Sequence, residues 1–435
     1  MLTAGSLARF RLPETISNHQ TSCMYTLVQK KPGVGENRLI GELSPGKTVS
    51  HRSTIFITGF KQRIIRRLIW LNILIITIRF YKNPFTAFKK VKELKALRSR
   101  YRNEQPLPKY ARIGKRYFVN FNTPGWPSTA FNRYVKHFLH RVGNETADSI
   151  YTLVFAITKK CGFQCEHCCE WLNLNKPETL SRENLLHIVE RFHRLGISQV
   201  QLSGGEPLNR LADILFLLEN APKEIDFWLY TTGYSLTQEK ANTLKQYGLT
   251  GITISLDHYA EEKHNTFRGV KDAYEKALAA NQFAINAGLV TCFSICATKE
   301  FISQENLLRY MDLSKQSGVA FIQVLEPRAV GHYAGKDVAI SVQQQQLLEQ
   351  FFETFNYNPA YAHYPAIAYH GYTSRKFGCS GSGADYVYAD TDGDIHNCPF
   401  CQQKLFSALD DSLPELIRLM KTKGCTAFSS CSIKN

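Results

Sequence analysis

The stretch Thr152-Leu-Val-Phe-Ala-Ile157-Thr-Lys-Lys-Cys161-Gly-Phe-Gln-Cys165-Glu-His-Cys168 joins a short apolar run to three closely spaced thiols. Five more short apolar runs follow: Gln199–Leu202, Phe227–Thr231, Gly251–Leu256, Val290–Cys296 and Phe321–Leu325. Helical patterns separate them at 182–195, 210–219, 238–247, 271–286 and 303–317, and one more follows at 342–355. Short apolar strands alternating with helices predict a parallel sheet covered by helices. Right-handed crossovers then curl six strands into an open, partial (β/α)6 TIM-type barrel of the α/β class. In such barrels chemistry sits where strands end, so motifs directly after the runs carry the functional reading.

Working outward, the chain divides into four predicted parts. Residues 148–356 form the barrel core. Residues 357–435 lose the alternation, are rich in aromatics, glycines and cysteines, and read as a small separate metal-stapled module. Residues 61–147 read as a basic helical extension, with helices on either side of Asn83–Pro84, a strand near Tyr117–Asn120 and a helix near 129–141. Residues 1–60 show no convincing periodicity and read as poorly ordered.

The net charge of +16 is uneven. Residues 1–150 hold 27 Lys and Arg against 7 Asp and Glu, and the remaining residues hold 26 against 30. A basic segment of this kind suits anionic lipid headgroups or nucleic acid, or is a solvated arm. The apolar stretch Leu68–Ile78 is too short for a normal membrane span and is flanked by Arg63, Arg66, Arg67, Arg79 and Lys82. A buried helix and a helix lying in a membrane interface both fit it. No cleavable signal peptide is visible, and the twelve cysteines are clustered rather than spread. That pattern indicates metal ligands in a reducing, cytoplasmic setting, with a peripheral position on the inner membrane face as the variant the basic arm allows.

Cys161, Cys165 and Cys168 have C-x3-C-x2-C spacing. Three thiolates on one tight loop can hold three irons of a cubane and leave the fourth open for a chelating amino acid. Structural zinc usually takes four ligands in paired spacings, which fits this trio poorly. Cys169 is an adjacent extra thiol. Ser203-Gly204-Gly205-Glu206-Pro207 directly follows the second run, with glycines that allow close backbone approach and a carboxylate that can accept from an ammonium. Ile254-Ser255-Leu256-Asp257-His258 ends the fourth run, and His264 and Arg268 follow it. Thr231 and Thr232 end the third run, and Gln323–Glu326 the sixth. Cys292 and Cys296 share one face of the fifth run and read as core.

Over residues 150–330 these motifs resemble the radical S-adenosylmethionine (SAM) superfamily, whose loop reads C-x3-C-x-(aromatic)-C and whose second strand ends in GGEP. The resemblance implies a [4Fe–4S] cluster on Cys161, Cys165 and Cys168. It implies that Gly204, Gly205, Glu206 and Pro207 meet the methionyl amino group of SAM. It gives Ser255 the ribose or methionyl part, Arg268 the carboxylate, and Thr232 a place lining the site. It further implies reductive cleavage of SAM to a 5′-deoxyadenosyl radical that abstracts hydrogen from a C–H bond, with flavodoxin or ferredoxin as electron donor. No protein side chain is assigned as catalytic.

Cys379, Cys398, Cys401, Cys425 and Cys431 are similar to the start of the SPASM/twitch extension, but are too few for its usual two clusters. They imply one auxiliary iron–sulfur cluster on Cys379, Cys398, Cys401 and either Cys425 or Cys431. A zinc knuckle on Cys398, Cys401, Cys425 and Cys431 is the alternative. The substrate expectation is divided between a peptide or protein and a lipid-linked molecule. A competing reading is a non-catalytic zinc or iron–sulfur protein contacting nucleic acid through its basic region. The motifs at successive strand ends oppose it.

Overall fold

Between Thr152 and Leu325 nearly every strand residue is buried, as expected where helices cover both faces of a parallel sheet. The computed structural model describes residues 54–100, 102, 104–142 and 150–425. All of them fall in one compact unit, His51–Asn435. Residues 1–53, most of the segment expected to be poorly ordered, and the candidate ligand Cys431 lie outside the described residues.

The six expected strands are β4 (Thr152–Ala156), β5 (Gln199–Ser203), β6 (Asp226–Thr231), β7 (Gly251–Ser255), β8 (Val290–Cys296) and β9 (Phe321–Leu325). The covering helices are α4 (Arg182–Arg194), α5 (Leu211–Asn220), α6 (Gln238–Gln246), α7 (Glu261–Arg268), α8 (Ala273–Asn286), α9 (Gln304–Gln316) and α10 (Val342–Tyr357). Capping boxes start two of them, Ser181 with Asn184 for α4 and Ser341 with Gln344 for α10. Helix α7 was not expected. It is short and polar, and only His264 and Arg268 among its residues are buried.

Beyond residue 356 the sheet continues, contrary to the expected loss of alternation. Strand β10 (Ala366–Tyr369) adds parallel to β9 and leads into α11 (His370–Phe377). Strand β11 (Tyr386–Ala389) adds parallel to the opposite edge, on β4. Strands β12 (Asp394–His396) and β13 (Phe406–Ser407) extend that edge antiparallel, and α12 (Leu413–Lys423) follows. The order is β10-β9-β8-β7-β6-β5-β4-β11-β12-β13. The Cys-rich C-terminal stretch is thus built onto the core sheet. Its strands are only four residues or fewer and mix tyrosine with alanine, so no apolar run announced them. Asp390–Asp394 forms the hairpin turn between β11 and β12, as its sequence suggested.

The extension comprises β1 (Ile55–Thr58), α1 (Gly59–Tyr81), α2 (Pro84–Arg100), β2 (Lys109–Ile113), β3 (Arg116–Phe118) and α3 (Thr129–Val142). Strand β1 lies inside the span expected to be unstructured. It pairs with β2 in the register Ile55↔Arg112 to Thr58↔Lys109. Ile69, Ile73 and Ile76 of α1 pack with Phe131, Val135 and Leu139 of α3 in one apolar cluster. Several basic residues of the extension anchor it to the barrel. Lys109 Nζ donates to the carbonyls of Phe355, Tyr361, Tyr364 and Pro365 at 2.6–3.3 Å. Arg116 pairs with Asp226, and Arg133 Nε donates to Ile197 O at 2.7 Å. Phe121 fills the floor of the barrel against Trp228 and Phe321. Among the described residues no helix is long and apolar enough to cross a membrane.

Candidate functional site

A cavity of about 310 Å³ opens at the C-terminal ends of the strands and runs down the barrel. Cys161, Cys165 and Cys168 line its upper wall together with Gly204, Gly205, Thr232, Ser255 and Arg268. The cysteine loop is held by backbone partners on several strand-end segments. Cys161 N donates to Asn175 Oδ1 at 3.1 Å, and Asn175 Nδ2 returns a bond to Cys161 O at 3.0 Å. Gln164 N and Glu166 N donate to the carbonyls of Arg268 and Phe267. The turn after β9 closes the far side: His332 N donates to Cys168 O at 2.9 Å, and its Nδ1 lies 3.0 Å from Cys165 O. The His332 ring stacks on Trp171 at 3.9 Å between centroids. A Cβ on Gly331 would stand 2.1 Å from Cys168 O, so this clasp requires glycine. Neither His332 nor Trp171 was anticipated, because neither sits in a motif.

The three thiols are free, and burial pushes Cys161 to about 11, Cys168 to about 12 and Cys165 upward as well. A bare thiolate trio is therefore costly here, and a bound cationic centre would supply the missing charge. Among the described residues no three His, Cys, Asp or Glu side chains converge as they would on one metal ion. A cubane asks for something else, since each thiolate takes its own iron. Three separate free thiols around one cavity mouth fit that donor set. His167 fills the expected aromatic position, stacked on Phe267 with a 14° interplanar angle. Burial lowers its pKa to about 4, with Arg268 as the next cause, so the imidazole is neutral. Cys169 also reaches the cavity wall.

The Gly204-Gly205 pair has a visible steric cause. Gly204 has φ +130, and Cβ atoms on the two residues would stand 2.5 Å from Thr158 O and 2.4 Å from Lys160 O. The glycines therefore let the β5 turn press against the cysteine loop. Glu206 and Pro207 are buried and do not line the cavity. The Glu206 carboxylate accepts from Thr231 Oγ1 (2.6 Å), Thr232 Oγ1 (2.6 Å), Thr232 N (2.8 Å) and Leu208 N (3.1 Å). The carboxylate is engaged with the neighbouring strand end and positions Thr231 and Thr232, which do line the cavity.

Arg268 is also engaged within the protein. Its Nε and Nη2 both lie 2.6 Å from Asp257 Oδ2, and its Nη1 lies 3.4 Å from Cys165 Sγ. Asp257 Oδ1 accepts in turn from Cys296 N at 2.9 Å. Burial pushes Asp257 up, but Arg268, then His167 and His264, outweigh it and hold the carboxyl below its usual range. Asp257 therefore holds Arg268 in place beside the cysteine loop. His264 Nδ1 accepts from Asp257 N at 3.1 Å, which gives this histidine a structural place. Ser255 lines the cavity from the end of β7.

Lower down, the cavity is polar. Ser294 Oγ donates to Gln323 Oε1 (3.1 Å) and Tyr230 Oη to Gln201 Oε1 (3.1 Å). Glu326 lies aside, accepting from Tyr369 Oη and Arg375 at 2.6 Å. His370, at the end of β10, also reaches the cavity, and burial lowers its pKa. It was missed because β10 itself was. Cys292 and Cys296 are buried as expected, and Cys296 touches the cavity.

The C-terminal cysteines gather separately. Cys398 and Cys401 sulfurs are 3.4 Å apart, and Cys379 and Cys425 lie beside them. The Cys398 thiol donating to it, against the opposing effect of burial, lowers Cys401 to about 6. Pro399 and Phe400, between Cys398 and Cys401, close one side of the barrel cavity.

Residues 155–311 match the model of the Radical SAM superfamily. A GTP 3',8-cyclase of Aliarcobacter butzleri (strain RM4018) is 32% identical over 183 residues, covering 39% of this chain and 54% of that protein. The chain thus spans about half the length of this relative. An AdoMet-dependent heme synthase of Methanosarcina barkeri is 23% identical over 269 residues, covering 57% and 76%. Among solved structures, Streptococcus suis SuiB bound to precursor peptide SuiA superposes with a TM-score of 0.50 at 13% identity, over 81% of each chain, a likeness of fold.

Proposed function

We infer from the radical SAM domain at residues 155–311 that the chain is an enzyme that binds a [4Fe–4S] cluster and SAM and uses them to oxidise or rearrange a substrate in its barrel. The observation that carries this is the convergence of Cys161, Cys165 and Cys168 on one cavity with Gly204, Thr232 and Ser255 from successive strand ends. When bound, the cluster and SAM supply a carbon radical able to take hydrogen from an unactivated C–H bond. The chain's own residues prepare the place for it. The Asn175 and His332 bonds fix the cysteine loop, and Arg268 directs positive charge at Cys165. Glu206 fixes the two threonines. Gln201, Tyr230 and Gln323 line the lumen and offer hydrogen-bonding groups to a substrate there.

The gathered thiols Cys379, Cys398, Cys401 and Cys425 support an auxiliary iron–sulfur cluster. A flavodoxin- or ferredoxin-type donor reduces the first cluster. SuiB's precursor peptide supports a peptide substrate for this chain by likeness of fold. A specific observation also favours a lipid-linked substrate at a membrane surface. Helix α1 is apolar on a second, outward face: Phe60, Ile64, Leu68, Leu71 and Ile75 are exposed at helical spacing, and Phe85 and Phe88 of α2 are exposed too. Exposed Lys61, Arg63, Arg67 and Arg79 border that stripe. An apolar stripe edged by cations is the pattern of a helix lying on anionic lipid.

Metal analysis tests the cofactor reading. Anaerobically reconstituted protein should hold about eight iron and eight sulfide per chain. Replacing Cys161, Cys165 and Cys168 with Ala should remove about half of each. Zinc alone in the wild-type protein would overturn the reading.

A further inference from the structure

A second cavity of about 250 Å³ lies where the sheet is open, between β10 on one edge and the Ser380–Asp385 approach to β11 on the other. Asn122 and His370 line both this cavity and the barrel lumen, so the two abut. Its outer wall is the basic extension. Arg98, in the last turn of α2, and Arg102, just beyond it, both line the cavity. Both are half-buried, and no hydrogen bond or ion pair to a carboxylate is recorded for either among the described residues. Arg102 spends only its Nε, on Gln105 O at 3.1 Å. Burial, and then the like charge of Arg98, lower its pKa, the mark of two cations held close without a counterion. The cavity's one lining carboxylate, Asp385, is already paired with Arg141 at 2.6 Å. Lys109, also on the wall, is committed to its four carbonyls. Asn120 presents a buried Oδ1 with no hydrogen-bond partner in the same wall. Two half-buried guanidinium groups on one cavity wall, neither paired with a carboxylate among the described residues, make that wall a place for an anion.

We propose that this side cavity is a subsite for the phosphate-bearing end of an elongated substrate whose reacting carbon lies in the barrel lumen. The proposal rests on the radical SAM reading for the lumen, and on Arg98 and Arg102 for the anion. Paired guanidinium groups suit an anion with several charged oxygens, such as a phosphate or diphosphate. A phosphate of this kind belongs to a soluble ester or to a lipid headgroup. His370, neutral and between the two cavities, meets the linking portion.

Calorimetric titration of the reconstituted holoprotein with inorganic pyrophosphate, and separately with dihexanoyl phosphatidic acid below its micellar concentration, tests this. At least one probe should bind saturably, and Arg98→Gln/Arg102→Gln should weaken that binding at least tenfold. Tighter binding of the lipid assigns the anion to a headgroup, and equal or tighter binding of pyrophosphate assigns it to a soluble ester. Absence of saturable binding by both probes, or equal binding by the variant, overturns the proposal. The cluster's visible absorption shows that the double variant is folded, and the single variants replace it if that absorption is lost. SAM titration of the same preparation reports on the radical SAM reading separately.

Discussion

Replacing Asp257 with Asn removes one charge and almost nothing else. The amide keeps the shape of the side chain, and its oxygen can still accept from Cys296 N. What is lost is the partner of Arg268, whose Nε and Nη2 both sit 2.6 Å from Asp257 Oδ2. The two side chains are 7% and 3% exposed, so the guanidinium is left buried and unanswered. Removing one member of such a pair costs about 3–5 kcal/mol. Glu305→Gln is the matched control. Its carboxylate lies at the same 2.6 Å from Arg309, but those side chains are 60% and 68% exposed, so the loss is about 0–1 kcal/mol. Urea unfolding of reconstituted protein measures both. Asp257→Leu/Arg268→Leu, which removes both charges, should recover much of the loss. Equal small effects for Asp257→Asn and Glu305→Gln would refute the assignment of Asp257 as the residue that stabilises buried Arg268.

Gly204→Ala and Gly205→Ala place a Cβ within 2.5 Å and 2.4 Å of carbonyl oxygens on the cysteine loop, so both should lose about half the bound iron, measured per chain after reconstitution. Glu206→Gln turns an acceptor of four donors into a group that must present N–H to some of them, and should destabilise the protein by about 1–3 kcal/mol in urea unfolding while weakening SAM binding in calorimetry. Burial holds His137 and His264 neutral in the fold, with pKa values of about 3 and about 4. The unfolded chain therefore binds more protons than the folded one below the ordinary histidine pKa of about 6.5, and stability falls as pH drops from there toward 4. The slope contributed by these two residues is up to about 2.7 kcal/mol per pH unit, and His264→Gln should lower the total measured slope by up to about 1.4 kcal/mol per pH unit. If α1 lies on lipid as proposed, wild-type protein should co-sediment with phosphatidylglycerol vesicles and Ile64→Glu/Leu71→Glu should not.

The barrel was legible because its strands are buried on both faces and so read as unbroken apolar runs. Val290–Cys296, buried at all seven positions, needed no context. The places of β10 and β11 in the sheet were invisible for the converse reason. Four residues that mix tyrosine with alanine carry no pattern, and their place is fixed by pairing with β9 and β4. Helix α7 escaped because only two of its residues are buried and both are polar. The motif residues at the ends of β4, β5 and β7 could be placed around one cavity from their spacing alone. What spacing could not reveal is how their charges are spent. Asp257 lies eleven residues from Arg268, and Glu206 some twenty-five from the threonines it holds. The Glu206 pairing arises from adjacency of β5 and β6, which follows only once the sheet order is known, and the Asp257 pairing arises from the helix α7 that the sequence did not reveal. The basic character of the extension was legible as composition, but not as function. Lys109, Arg116 and Arg133 turn out to fasten it to the barrel, whereas Arg98 and Arg102 do not.

The most direct measurement is the formation of 5′-deoxyadenosine from SAM by the anaerobically reconstituted, dithionite-reduced protein. Wild-type protein should produce it, and Cys165→Ala, which removes the buried member of the thiol trio, should produce none. Absence of 5′-deoxyadenosine from iron-replete wild-type protein, or an equal yield from Cys165→Ala, would contradict the account.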